Sequence, residues 1–255
     1  MKGSASMKNK IKAFFDEAAI NRSERMARNL IVEYEQIVRS QMVISMVDAK
    51  PGELILDAGC GNGRDLIELA PRRCKCIGVD FSPNMIEEAR KELSKHNLCG
   101  VELEVGDLTN LRFPDGTFDK VYASEVLEHS PDYHKAISEM GRILKPGGCL
   151  VITVPNKHSL YGFERYIIRK ILRLGPRHPY DKWKTHKELA FALENNGFEI
   201  VQSAGICYIP GALISYRLPN VLKKLLIAVV RRLEPWLSKT FPKSGYCLAM
   251  KAIKK

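Results

Sequence analysis

The stretch Leu54-Ile55-Leu56-Asp57-Ala58-Gly59-Cys60-Gly61-Asn62-Gly63-Arg64-Asp65-Leu66 decides the reading of this chain. Glu53 to Ala58 is an apolar run closed by an acid and a small residue. It lacks the polar alternation of a half-exposed strand, so it predicts a strand buried on both faces. Three glycines at alternate positions follow, and then a helical pattern runs to Ala70. Glycine tolerates backbone angles that other residues avoid, so a sharp strand-to-helix turn sits here, and a ligand can approach its main chain. Strand, tight turn and helix together open a βαβ unit.

The pattern continues outward. Cys74 to Val79, Val101 to Val105, Phe118 to Ala123 and Cys149 to Val154 read as further strands. Helical segments separate them, one with Pro83 in its first turn, where a missing N–H costs little. Lys145-Pro146-Gly147-Gly148 reads as a turn. This alternation predicts a parallel sheet with helices on both faces. Upstream, residues 8–47 lack proline and glycine, have helical apolar spacing and end at Pro51-Gly52. Met1 to Ser6 read as a leader outside the fold, and no signal-peptide pattern is expected. Downstream, Ser159 to Leu174 and Lys187 to Asn196 predict helices, the second stopped by Gly197. Phe198 to Tyr208 predicts a strand, Ala212 to Leu237 a helical stretch broken by Pro219 and Pro235, and Tyr246 to Ile253 a last strand.

In such sheets ligands bind beyond the carboxyl ends of the strands, at the switch point. A glycine loop there also suits a nicotinamide dinucleotide. That fingerprint needs Gly-x-Gly-x-x-Gly, but the sixth position counted from Gly59 is Arg64. Asp57 would also face a pyrophosphate with like charge, whereas it suits a cationic amino group. Asp80, 21 residues beyond Gly59, ends the second strand, where its carboxylate can accept both hydroxyls of a ribose. Asp107 follows the third strand, placed to accept from an adenine amino group. Three acids at consecutive strand ends form one rim.

LDAGCGNGRDL, GVDFS, GDL, FDKVYASEVLEH and LKPGG, in this order over about residues 54–155, resemble the successive motifs of class I S-adenosylmethionine (SAM)-dependent methyltransferases. The group resembled is the small-molecule type that includes the ubiquinone- and menaquinone-biosynthesis enzymes. The resemblance implies a doubly wound α/β fold, Rossmann-like, with seven strands and the last antiparallel. It implies an N-terminal helical cap over residues 1–47 and a methyltransferase domain over 48–255, with helical insertions at about 159–185 and 211–243. For the cofactor it implies Gly59 and Gly61 against the methionine part and Asp80 on the ribose. Phe81 and Met85 would pack near adenine, with Asp107 at its amino group. Ser124 would lie beside the methionine part, and Asp57, Cys60, Leu108 and Glu125 are further candidate cofactor-binding residues. Arg39 is a candidate for the methionine carboxylate, with a solvated helical arginine as the alternative.

The cofactor carries the activation, so the protein mainly aligns nucleophile and methyl. His129 is the candidate catalytic base for a nucleophile that must lose a proton; the alternative is a hydrogen-bonded loop histidine. Glu125, Glu128 and His129 resemble a stretch linked to a divalent ion in the ubiquinone group, but nothing else in the sequence supports a metal, and none is expected. His158, His178, His186, Tyr161, Tyr180 and Trp183 fall where the acceptor pocket usually lies. The motifs of nucleobase amino methylation and cytosine-C5 methylation are absent, which favours a small-molecule or lipid-like acceptor.

The formal net charge is +11, and residues 159–243 hold 15 Lys and Arg against 6 Asp and Glu, so nine of those charges sit there. On a helical wheel, Arg165, Arg169, Lys170 and Arg173 oppose Leu160, Ile167, Ile168, Ile171 and Leu174. Lys223, Lys224, Arg231 and Arg232 likewise oppose Leu222, Leu225, Leu226, Val229 and Leu233. Basic amphipathic helices suit an anionic membrane surface, or they are core helices with a solvated face. RNA ranks lower, because aromatics for base stacking are few; a non-catalytic SAM-binding module is the remaining alternative. Seven cysteines without a paired spacing point to free thiols in a reducing cytoplasm. A cytoplasmic protein, peripheral at a membrane if the helices bind one, is the expectation; nothing addresses its oligomeric state.

Overall fold

The computed structural model describes residues 2–26, 30–98, 100–167, 178–208 and 218–255. Its centre is a seven-stranded sheet: β1 (Leu54–Ala58), β2 (Lys75–Asp80), β3 (Glu102–Val105), β4 (Phe118–Ser124), β5 (Leu144–Pro155), β6 (Phe198–Ile206) and β7 (Cys247–Lys254). Their order is β3-β2-β1-β4-β5-β7-β6. β1 to β5 run parallel, and β7 is antiparallel to both neighbours. This is the doubly wound arrangement expected, with its switch point between β1 and β4.

Two apolar clusters fill the two faces. On one, Val43, Ile44, Met46 and Val47 of α2 (Leu30–Val47) join Leu66 and Leu69 of α3 (Arg64–Leu69) and Ile86, Ala89 and Leu93 of α4 (Pro83–Lys95). On the other, Ala136, Ile137, Met140 and Ile143 of α5 (Tyr133–Ile143) meet Leu189, Ala192 and Leu193 of α7 (His186–Glu194), with α6 (Leu160–Tyr166) preceding it. Each fully buried Leu, Ile or Phe contributes about 1.5–3 kcal/mol by leaving water. The central strands β1 and β5 show almost no polar alternation because both faces are covered, whereas the edge strands β3 and β6 carry exposed polar residues.

Local chemistry sets the helix starts. Ser82 caps α4 by accepting from the Met85 N–H, with Pro83 in the first turn. Thr185 and Glu188 form a reciprocal capping box on α7, which satisfies two donors that a helix start leaves open.

Several expectations are corrected. The helical stretch 8–47 is two helices, α1 (Lys2–Met26) and α2, and residues 2–6 lie within α1. Lys145 to Gly148 is no free turn but lies within β5. Phe118 pairs with Leu144 and Lys120 with Cys149, so these four residues bulge opposite Asp119 alone. Pro219 is the N-cap of α8 (Asn220–Thr240), but Pro235 lies inside that helix and does not end it. Proline there removes only the bond to the carbonyl four residues back, and the Glu234 side chain anchors the same turn. The stretch 159–174 is described as a helix only to Tyr166. Arg169, Lys170 and Arg173, with Ile168, Ile171 and Leu174, lie outside the described residues, as do residues 209–217 of the second insertion.

Candidate active site

Beyond the carboxyl ends of β1, β2 and β4, at the switch point, lies a cavity of about 260 Å3. All thirteen site residues named from the sequence line it. Asp57 comes from the end of β1, and Gly59, Cys60 and Gly61 from the loop that follows. Asp80 ends β2, followed by Phe81 and, on α4, Met85. Asp107 and Leu108 follow β3, Ser124 and Glu125 close β4, Arg39 comes down from α2, and His129 stands on a short turn after β4.

The glycine loop is held from behind by β2, whose Val79 carbonyl accepts from the N–H groups of Gly59 and Cys60 at 2.7 and 3.0 Å. Gly59 has φ +93°, and a Cβ there would stand 2.3 Å from the Val126 side chain. Glycine is therefore required at this position twice over, by its backbone angle and by its space. Asp80 braces the loop from the side: its two oxygens accept from the Gly61 and Ser82 N–H groups, each at 2.9 Å. A carboxylate oxygen has two lone pairs, so both oxygens can also accept from a ligand.

Carboxyl groups crowd the floor. Asp57 is buried; burial, and then Asp65 and Asp80, push its carboxyl well above the usual range. A ligand cation beside it would restore its charge. Asp107 is the opposite case. Burial works against its charge, but hydrogen bonds from Lys8 and Thr109 outweigh it and hold the carboxyl below the usual range. Lys8 Nζ reaches Asp107 at 2.6 Å and Thr109 Oγ1 at 2.8 Å.

Arg39 Nη1 lies 2.5 Å from Glu125 Oε2. Burial alone would weaken the guanidinium charge, but Glu125 more than restores it. Glu125 adopts φ +52° and accepts from Cys247 Sγ at 3.4 Å. Glu35, one helical turn before Arg39, is buried, and its carboxyl is pushed up to about 8, by burial first and by Glu125 second. His129 is fixed by its Nδ1 against the Tyr180 carbonyl at 3.2 Å. A carbonyl only accepts, so Nδ1 carries the proton and the lone pair of the neutral ring falls on Nε2. Phe15 of α1 meets this ring edge-on at 5.1 Å, and His178 packs on it at 4.3 Å. Glu128 is buried beside it, raised by burial and then by Glu125. Among the described residues, no group of three or more His, Cys, Asp or Glu is arranged to hold a metal ion.

The sequence implies an N-terminal cap but singles out none of the residues by which α1 forms a wall. Lys8, Ile11 and Phe15 line the cavity, and Asp16 ties α1 to Ser82 and Asn84 at the start of α4. Nothing in the local pattern of α1 marks those residues. Tyr161 and Trp183, expected near the acceptor side from the sequence, cluster with Tyr246.

A methyltransferase-domain family model matches residues 49–202. The chain belongs to this family, the class I SAM-dependent methyltransferases. Among curated relatives of this methyltransferase domain, an uncharacterized 37.1 kDa protein of transposon Tn4556 from Streptomyces fradiae is 37% identical over 147 residues, covering 52% of this chain and 42% of that protein. The demethylmenaquinone methyltransferase of Bacillus cereus is 32% identical over 153 residues, covering 59% of this chain and 65% of that enzyme. The chain thus spans less than two thirds of either relative's length. Among solved structures, the magnesium protoporphyrin IX methyltransferase of Synechocystis, with bound S-adenosylhomocysteine, superposes with a TM-score of 0.68 at 19% identity, over 98% of this chain and all of that one. The cyclase SpnF superposes with a TM-score of 0.59 at 21% identity, over 84% and 79%. At such identities the methyltransferase domain shares a fold with both, and no more.

Proposed function

We propose that this chain transfers a methyl group from SAM to a small, hydrophobic or lipid-like acceptor. The observation that carries the reading is the acid-lined cavity floor at the switch point: Asp57, Asp65 and Asp80 crowd together there, beside a glycine whose missing Cβ makes room for Val126 in the wall. A sulfonium ligand with a cationic amino group fits that floor, and a pyrophosphate does not. The relative that acts on demethylmenaquinone, by its name, supports an acceptor of this class.

Asp57 would face the amino group and Arg39 the carboxylate, Asp80 the ribose, and Asp107 the adenine edge, with Phe81, Met85 and Leu108 against the ring. Cys60, Gly61, Ser124 and Glu125 complete the wall. Bound SAM supplies an electrophilic methyl on a sulfonium, so the protein needs to orient the acceptor and exclude water. His129 takes the acceptor's proton on Nε2, held in that tautomer by Tyr180. Helix α1 closes the cavity through Lys8, Ile11 and Phe15 and acts as the lid of the 1–47 cap.

The test is transfer from methyl-labelled SAM to separated quinone, lipid and RNA fractions. Label in the quinone or lipid fraction supports the acceptor class, and label in RNA alone overturns it. His129→Ala should slow turnover at least tenfold with SAM affinity unchanged; an unaltered rate would remove the base.

A further inference from the structure

Helix α8 presents its apolar stripe to solvent. The inward face is settled by contacts: Val230 packs with Ile31 and Tyr34 of α2, and Glu234 accepts from the Cys207 N–H at 2.6 Å and the Tyr34 hydroxyl at 3.2 Å. Ser238 donates to the Gly205 carbonyl at 2.8 Å. The residues turned outward include Val221, Leu222, Leu225, Val229, Leu233 and Trp236, with Val221 77%, Leu225 62% and Trp236 58% exposed. At 100° per residue these six fall within an arc of about 120°. A core helix with a solvated polar face would show the reverse.

The charges settle the occupant. Arg232 and Lys239 lie on the same exposed side of α8, and Lys224 and Arg231 lie along one flank; all four are exposed. Its single acid, Glu234, is buried and committed to backbone donors. An exposed stripe of large apolar side chains, a tryptophan near its end and cations without a surface acid match an anionic bilayer interface. No described helix is long and apolar enough to cross a membrane, so the contact is with the surface.

We infer that α8 docks this domain on anionic lipid, with Leu225, Val229 and Trp236 in the acyl boundary and Lys224, Arg231 and Arg232 against the headgroups. This deepens the lipid-like acceptor reading, on which its meaning for catalysis rests, because a membrane-held enzyme meets such an acceptor where it dissolves. The docking is measured without methyl transfer, so the two fail separately.

The experiment is co-sedimentation of the full chain with vesicles of phosphatidylcholine alone and of phosphatidylcholine mixed with phosphatidylglycerol. Binding to the anionic vesicles only, weakened by salt, is expected. Lys224→Gln, Arg231→Gln and Arg232→Gln together should weaken it on the order of a hundredfold, about fivefold for each cation. Leu225→Ser, Val229→Ser and Trp236→Ser together should abolish it. All six positions are exposed, so both variants should keep the parent's circular dichroism and SAM affinity. Absence of binding, equal binding to neutral vesicles, or binding that survives the stripe substitutions would overturn the inference. So would a dimer in gel filtration that those substitutions split, since a second copy would then cover the stripe.

Discussion

Gly59→Ala should be one of the most damaging single-methyl changes in the chain. At φ +93° any side chain is strained, a cost of about 1–3 kcal/mol. The new Cβ would also stand 2.3 Å from Val126 Cγ2 and 2.9 Å from Cγ1. Val126 packs against the main core and its χ1 is stiff, so it cannot swing aside freely, and overpacking of this kind costs about 1–3 kcal/mol. The total is about 2–6 kcal/mol, to be read from urea unfolding monitored by far-UV circular dichroism. A double-mutant cycle separates the two parts. Val126→Ala removes both clashing methyls and leaves only the Cβ at that position, 3.1 Å away, so Gly59→Ala should cost little beyond the backbone part in that background, a coupling of about 1–3 kcal/mol. A cycle additive to within about 0.5 kcal/mol would show that the contact does not constrain the loop. A Gly59→Ala cost below that figure would refute the geometry altogether.

Arg39→Gln should destabilise the fold by about 2–4 kcal/mol, less than for a fully buried pair because both partners keep some exposure, and Glu125→Gln should recover part of it. Glu35, ordinarily near 4.5, is raised to about 8, so the folded chain holds its proton where the unfolded chain has lost it. Its stabilising contribution is complete below about pH 4.5 and is lost as pH rises through about 8. Glu35→Gln should therefore flatten the fall of stability between these values in urea titrations, and an unchanged slope would place the charge elsewhere. Lys8→Met should leave the melting temperature nearly unmoved, since a part-exposed pair contributes about 1 kcal/mol or less. It should raise SAM affinity up to about fivefold by freeing Asp107; a tenfold loss in calorimetry would mean that Lys8 itself holds the ligand.

The centre of this fold was legible because its signals are local. The apolar run before Asp57, the glycine spacing and the acids Asp80 and Asp107 each follow from one strand end, and the sheet brings the ends together. What was not legible depends on partners distant in sequence. The wheel of α8 showed two faces, but only the contacts of Val230 and Glu234 with α2 and β6 show which one is inside. Lys8 and Phe15 belong to a helix without a motif, and their place over Asp107 and His129 comes from how α1 lies across the strand ends. The Lys-Pro-Gly-Gly segment has turn chemistry, yet the registers of Leu144 and Cys149 force it into a bulge. The pairing of Arg39 with Glu125 joins α2 to the end of β4, and no spacing announces that.

The most direct test is calorimetric titration of SAM into the parent chain and into Asp80→Ala. One molecule should bind per chain, with Asp80→Ala weakening binding roughly a hundredfold or more through the loss of two charge-assisted hydrogen bonds. Circular dichroism checks that the loop donors Gly61 and Ser82, left unpaired, have not unfolded the domain. No SAM binding by the parent chain, or equal affinity in a folded Asp80→Ala, would contradict that expectation.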